Sequence, residues 1–333
     1  MKVSFIIPLH NCLPLTQAML ASLQSTLPAG LEHEIILVDD ASTDGTRAWL
    51  AGLSQPTANR SEPLSSAPCR VLLNERNLGF AATCNRGAAT ATGEILFFLN
   101  NDLVCLPGWL EPMLAAFLLF PGAGLVGNVQ LNAGTGEVDH AGIFFNPKAK
   151  PEHDRSPLSA RPPWPLPAYR QVAALTGACF AIRRANWLQL GGFDEMFING
   201  SEDIDLCLRA RAAGLSNYVA LRSVVRHHVS ASPGRKLRDE QNTRRLLLRW
   251  RQQISELALP AWCKSYLELR HDPAEHRIAR RILWYVLGIS TTPPPEAQAG
   301  VARAIEVELA RWAVLLDSAE PPPPRASERT AQI

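Results

Sequence analysis

The chain has 333 residues, 47% of them hydrophobic and 19% charged, enough to bury one large core or two modest ones. Its formal net charge of +2 excludes the strongly basic balance of a general nucleic-acid binder. Seven cysteines stand singly, with no Cys-x-x-Cys pair, which fits neither a zinc site nor a disulfide framework and suits a reducing compartment.

In chain order, Val3 to Ile7 is a continuous apolar run bounded by Pro8 and predicts a strand, with no secretory signal before it. A helix follows over 13–27, and Glu34 to Val38 is a second strand that ends in Asp39-Asp40. Ser42, Thr43 and Asp44 are helix-capping side chains, and a helix over 45–53 follows them. Residues 54–68 predict a surface loop, Val71 to Leu73 a strand, 79–92 a helix and Ile95 to Leu99 a fourth strand. This alternation implies βαβ units and a mostly parallel central sheet flanked by helices, an α/β fold. Ligands in such sheets collect beyond the carboxyl ends of the strands. His10-Asn11, Asp39-Asp40, Asn74 and Asn100-Asn101-Asp102 all fall there.

Short strand-like runs occupy 125–145, and a proline-rich loop is expected over 146–168. Ala178 to Ile182 resumes a strand, and Glu202 to Ala213 has helical spacing. Two Arg-rich amphipathic helices are expected over 235–259 and 274–287, then a last helix near 297–316 whose Val301, Ile305, Leu309, Trp312 and Leu316 share a face. Pro321 to Ile333 has the composition of a disordered tail. These patterns divide the chain into a catalytic domain over 1–235, a C-terminal helical extension over 236–318 and a tail over 319–333. No run reaches the roughly 18–20 apolar residues of a membrane span, so a cytoplasmic protein is expected, with contact at the inner face of the cell membrane limited to its surface.

Several side chains in this frame suit chemistry. Asp102, fixed after an apolar strand, suits Mg²⁺ or Mn²⁺, which need only one or two protein carboxylates when phosphates complete the shell; Asn100-Asn101-Asp102 equally suits a plain turn. Asp39 and Asp40 suit a nucleobase or ribose, or the capping of the next helix. Asn77 and Gly79, with Asn85, suit a turn whose N–H groups face a phosphate. Asp203 and Glu202 open a helix; acids there are favoured by the helix dipole, and a carboxylate there also suits a general base. Asp205 is expected to pair with Arg209 at i,i+4. His227, or His228 beside it, stands at a strand end where it could complete a metal shell. His140 and His153 flank the proline-rich loop, within reach of an acceptor or of solvent. The stretch 222–251 carries nine Lys/Arg against two acids, a solvated face or a contact for anionic lipid or a lipid-linked diphosphate. Aromatic residues do not interleave with it, which disfavours nucleic acid.

Taken together, Val3-Ser-Phe-Ile-Ile-Pro-Leu-His-Asn11, Ile36-Leu-Val-Asp-Asp-Ala-Ser-Thr-Asp-Gly-Thr46, Asn77-Leu-Gly-Phe80 with Asn85, Leu99-Asn-Asn-Asp102, Gly191-Gly-Phe-Asp-Glu195, Glu202-Asp-Ile-Asp205 and His227-His228 resemble, in this order, the family 2 glycosyltransferases. The resemblance covers about residues 1–235. It implies a GT-A fold, a nucleotide-sugar donor, a divalent metal and transfer with inversion to a glycan or lipid-linked acceptor in cell-surface polysaccharide synthesis. By position, Pro8 and Asn11 would line the nucleotide pocket and Asp40, with Asp39, would bind the base. Asn77, Gly79, Asn85 and Asn101 would join that donor site. Asp102 and His227 would hold the metal, and Asp203, with Glu202 beside it, would be the base. Asn100 stands where the family often has an aspartate, which bears on how tightly the metal is held. Two other readings stay open: a sugar-phosphate nucleotidyltransferase, disfavoured because Pro8-Leu9-His10-Asn11 is not a Gly-rich triphosphate loop, and a non-catalytic glycan-binding or assembly protein.

Overall fold

A computed structural model describes residues 1–53, 68–156, 168–228, 235–269 and 276–317. Residues 54–67 of the loop expected over 54–68, residues 157–167 of the proline-rich segment and the expected C-terminal tail lie outside these residues. The chain divides into two compact units, residues 1–145 with 151–238, and residues 146–150 with 239–333.

The first unit runs β1 (Val3–Leu9), α1 (Leu13–Thr26), β2 (His33–Asp39), α2 (Thr46–Leu53), β3 (Cys69–Leu73), α3 (Phe80–Thr90), β4 (Ile95–Leu99), β5 (Leu103–Cys105), α4 (Leu110–Leu119), β6 (Ala123–Asn132), β7 (Val138–His140), β8 (Ile143–Phe145), β9 (Pro151–His153), β10 (Tyr169–Val172), β11 (Cys179–Arg183), α5 (Arg184–Leu190), α6 (Glu202–Ala212) and β12 (Ser216–His227). The main sheet has the order β10-β12-β6-β11-β4-β1-β2-β3, with β5 paired to β12 and β7 to β6. Strands β3, β2, β1 and β4 are parallel neighbours. β11 runs antiparallel between β4 and β6, and β12 returns parallel to β6. The inner parallel strands β1 and β4 are almost wholly apolar and buried because both faces are covered. Phe5, Ile7, Leu37, Phe97 and Leu99 pack with Met19, Leu23, Leu50, Met113 and Phe117 of α1, α2 and α4. On the opposite face Phe98 stacks on Phe180 at 4.7 Å and meets Trp187 of α5 at 4.5 Å, and Phe193 joins this aromatic cluster.

Strands β9 and β5 are among the elements that depart from the sequence expectation. β9 lies inside the segment expected to be loop, paired antiparallel with β8. β5 follows the Asn-Asn-Asp turn directly, where only a turn and a helix were expected; its pairing with β12 sets Leu103 opposite His227.

In the second unit α7 (Arg235–Arg249), α8 (Arg251–Leu269), α9 (His276–Val286) and α10 (Pro295–Asp317) follow one another. The single long helix expected over 235–259 is therefore two, separated at Trp250. Val301, Ile305, Trp312 and Leu316 form the buried face of α10. Lys150 bonds Glu308 at 3.0 Å, and Arg311 bridges Glu308 and Glu240. Among the described residues no helix is long and apolar enough to cross a membrane.

Helix α3, which carries part of the candidate site, sits close to β1 and β2 because Gly87 faces the sheet. A Cβ there would lie 2.7 Å from Ile6 Cγ2 and 2.9 Å from Val38 Cγ2, both on buried residues. Gly87→Ala gains up to about 1 kcal/mol of helix propensity, but overpacking a filled core costs about 1–3 kcal/mol. We expect a net loss of stability in urea unfolding; a more stable variant would contradict this packing.

Candidate active site

The loops beyond β1, β2, β3 and β4 are tied to one another by their own polar side chains. Asn11 N–H donates to Ser42 Oγ at 2.7 Å, and Asn11 Oδ1 accepts from Thr43 N–H at 2.7 Å. Asp44 Oδ2 accepts from Leu13 N–H, the first amide of α1, while its Oδ1 accepts from the Thr46 hydroxyl and amide at the start of α2. One carboxylate thus caps two helices, and the Thr46 hydroxyl above all holds its pKa below the ordinary value.

Asp39 and Asp40 are both buried. Asp39 accepts from Arg47 Nε at 2.7 Å and from Ser42 N–H at 3.3 Å. Asp40 accepts from Asn74 Nδ2 at 2.8 Å, Leu78 N–H at 2.7 Å and Gly79 N–H at 2.9 Å. The two acids therefore hold the β2 and β3 loops from beneath. What faces outward is His10, Asn77 and Leu78, all exposed, with Asn11 half-buried and Pro8 buried behind them. The His10 ring, with Nδ1 2.8 Å from the Asp40 carbonyl, is fixed by that contact.

Asn101 and Asn85 make internal ties. Asn101 Nδ2 donates to Thr16 Oγ1 at 2.9 Å and to the Asn11 carbonyl at 3.2 Å, locking the β4–β5 turn to the β1 loop. Asn85 exchanges two hydrogen bonds of 2.9 Å with the Phe193 backbone and donates a third to Glu195. Its amide pins α3 to the segment before α6.

The turn after β4 places Asp102 against the end of β12. Asp102 Oδ1 lies 3.2 Å from His227 Nε2, and the neighbouring His228 N–H donates to the Asp102 carbonyl at 3.0 Å. His227 thus faces Asp102, while the His228 side chain is exposed. The close contact is not a hydrogen bond: Asp102 Oδ1 and His227 Nδ1 are buried with no hydrogen-bond partner among the described residues. Buried polar atoms are normally satisfied, so these need a further partner. A carboxylate oxygen and an imidazole nitrogen at this separation fit neighbouring ligands of an octahedral divalent ion, which lie about 3 Å apart at bond lengths near 2.1 Å. No group of three or more His, Cys, Asp or Glu able to hold a metal occurs among the described residues. The pair therefore fits a metal whose shell is completed mainly by phosphates and water.

Asp203 stands on the other side of β11, in the first turn of α6. Asn199, Gly200 and Ser201 before it all adopt positive φ, a sharp reversal, and Asn199 Oδ1 accepts from Phe80 N–H at 3.0 Å to cap α3. Asp203 Oδ2 accepts from Gly177 N–H at 2.6 Å, and Oδ1 from Ile204 N–H at 2.8 Å. Asp203 as a whole is half-buried, and burial of its carboxyl outweighs these two donors and raises its pKa above the ordinary value. Glu202 is more deeply buried and turns back to accept from Gly200 N–H at 2.6 Å. Asp205 pairs with Arg209 at 2.8 Å, as the i,i+4 spacing predicts.

His140 and His153, separated in sequence by the β8–β9 hairpin, meet at 3.3 Å between their Nδ1 atoms. His140 is buried rather than solvated, and burial lowers the pKa of both rings, so they are neutral at pH 7. His140 Nε2 accepts from Gly142 N–H, so its proton sits on Nδ1 and is donated to His153. His153 then carries its proton on Nε2. The His153 ring feels the charge of Asp203. Sequence reading missed Gly177 and Asn199: both act through backbone contacts that no local pattern announces.

Comparisons with known proteins bear on the family and the fold. The family model described as "Glycosyl transferase family 2" matches residues 4–185. The O-antigen biosynthesis protein RfbC of Myxococcus xanthus is 31% identical over 247 residues, 69% of this chain but 18% of that protein. An N-acetylglucosaminyl-diphospho-decaprenol L-rhamnosyltransferase of Mycobacterium tuberculosis is 29% identical over 250 residues, 67% of this chain and 74% of that enzyme. The chain is thus similar to a small part of the first and to most of the second. Among solved structures, GalNAc-T7 with UDP, GalNAc and Mn²⁺ superposes with a TM-score of 0.61 at 16% identity, over 97% of this chain and 59% of that one, a likeness of fold. With its GT-A architecture and a family match over more than half its length, the chain belongs to glycosyl transferase family 2.

Proposed function

We propose that the protein transfers a sugar, with inversion at the anomeric carbon, from a nucleotide-sugar donor to a hydroxyl of a glycan or lipid-linked acceptor in cell-surface polysaccharide synthesis. The observation that carries this reading is the Asp102–His227 pair: Asp102 Oδ1, buried and without a hydrogen-bond partner among the described residues, faces His227 Nε2 at 3.2 Å. The names of the two bacterial relatives, one in O-antigen synthesis and one acting on a diphospho-decaprenol acceptor, support the substrate class.

In this reading Asn77 and Asn11 border the donor nucleotide above Pro8, with Asp39 and Asp40 keeping the loops of the pocket in register. Gly79, whose N–H is already held by Asp40, and Asn101 shape that pocket, and Asn85 braces the helix behind it. Asp102 and His227 hold a divalent metal, and an imidazole in the set favours Mn²⁺ over Mg²⁺. When bound, such a metal neutralises charge on the departing diphosphate. Asp203 is the base: an acceptor hydroxyl is a poor nucleophile until its proton passes to a carboxylate oxygen. The Gly177 and Ile204 amides orient that carboxylate and leave each oxygen a free lone pair to receive the proton. Glu202 steadies the turn that presents it.

Asp203→Asn should lower turnover by about 10²–10⁴-fold, the usual worth of a general base, while thermal-shift binding of the nucleotide-sugar is unchanged. Turnover within a few-fold of the native chain would remove Asp203 from this role. The raised pKa of Asp203 also predicts a pH profile. Asp203 acts deprotonated, so kcat/KM should fall on the acid side as pH drops through its raised pKa, above the value of about 4 expected of an ordinary aspartate. An acid limb at the ordinary carboxylate value, measured on the native chain, would contradict the assignment.

A further inference from the structure

The C-terminal end of α9 holds a cluster of apolar side chains in water. Its inner face is conventional: Ile282 is fully buried, and Tyr285, four residues from the exposed Arg281, is half-buried near Cys263 of α8. Beyond it, exposure rises steadily toward the tip. Leu283 is 43% exposed, Trp284 44%, Val286 44%, Leu287 61% and Ile289 67%. Apolar residues exposed singly are ordinary, but five within seven positions form a contiguous patch of the kind that marks an interaction site.

The patch is an ordered feature rather than a frayed end. Gly288 adopts the left-handed conformation at φ +68°, and its N–H donates to the Tyr285 carbonyl at 3.1 Å. Ile289 N–H reaches back to the Trp284 carbonyl at 2.9 Å, which closes a Schellman-type cap. The backbone therefore fixes Leu287 and Ile289 at the point of a convex turn.

Charge accompanies it. Arg277, Arg280 and Arg281 are exposed on the preceding turns, and no acid occurs from His276 until Glu296. Arg281 pairs with Glu296, and the Arg280 guanidinium lies 5.2 Å over the Trp284 ring. Positions 277, 280, 284 and 287, at i, i+3, i+7 and i+10, lie on one face, so a single line along the helix passes from basic to aromatic to aliphatic. A basic helix with an aromatic and aliphatic end matches the boundary of an anionic bilayer, where cations meet headgroups, indole rings take the interface and aliphatic groups enter the acyl region. A protein partner would need a matching concave surface to receive this convex tip; a bilayer needs none.

We propose that the C-terminal turn of α9, Leu283 to Ile289, docks the chain on an anionic membrane surface, with Arg277 and Arg280 contacting lipid phosphates. This relocates the lipid contact expected over residues 222–251 to the next helix but one. It stands apart from the sugar-transfer reading, since none of these residues belongs to the candidate active site.

The test is co-sedimentation of the full chain with vesicles of phosphatidylcholine alone or mixed with phosphatidylglycerol. Binding should need the anionic lipid and weaken as salt rises. Leu287→Glu with Ile289→Glu should lower it by more than about tenfold, and Arg277→Gln with Arg280→Gln by about tenfold, at unchanged melting temperature. Absence of binding to the anionic vesicles, or binding equal on both vesicles or unchanged in both variants, would overturn the proposal. So would a dimer in light scattering that the Leu287→Glu, Ile289→Glu variant splits, because the patch would then be a self-interface.

Discussion

Asp102 Oδ1, buried and without a hydrogen-bond partner among the described residues, faces His227 Nε2 at 3.2 Å, and this contact sets an electrostatic demand on its surroundings. Two acceptors so placed are costly unless a cation or a proton stands with them. The fold accepts that arrangement because each partner is fixed by backbone it cannot easily leave. Asp102 follows a buried strand and is held again by the pairing of β5 with β12. His227 ends the longest strand of the sheet, whose neighbour His228 donates its amide to Asp102. Sheet register, rather than any local motif, brings residues 102 and 227 together.

The rest of the site is organised by polar side chains that act as ties between loops. Asp40, Asp44, Asn11 and Asn199 accept from backbone amides of a different loop and Asn101 donates to the Asn11 carbonyl, so the ends of β1 to β4 are tied together. A rigid rim of this kind suits a reaction in which base, sugar and leaving group must hold their geometry. Asp203 has the complementary design. Two amides fix its direction, while burial raises its proton affinity, which suits the role of base proposed for it.

Much of this was legible in the sequence, for physical reasons. Strands β1, β2 and β4 read as largely apolar runs because both faces of a parallel sheet are covered, and their ends are where a site was expected. Asp205 and Arg209 followed from helical spacing alone. The sequence could not separate a polar residue that faces a ligand from one that ties loops. Asp39, Asp40, Asn85 and Asn101 all sit where a donor site is expected, yet their side chains satisfy neighbouring backbone and side-chain groups. β5 and β9 were invisible because three residues carry no periodicity, and the partner of β5 lies far away in the chain. The His140–His153 contact is of the same class: it depends on a hairpin and on neutral tautomers that only burial establishes.

The account turns on whether Asp102 and His227 hold a divalent metal together. Electron paramagnetic resonance of Mn²⁺, titrated with the chain in the presence and absence of nucleoside diphosphates, measures this directly. Two protein ligands and a shell completed by phosphate predict weak binding of Mn²⁺ alone and much tighter binding with the matching diphosphate, lost in Asp102→Asn and sharply reduced in His227→Ala. Unchanged Mn²⁺ binding in both variants would contradict it.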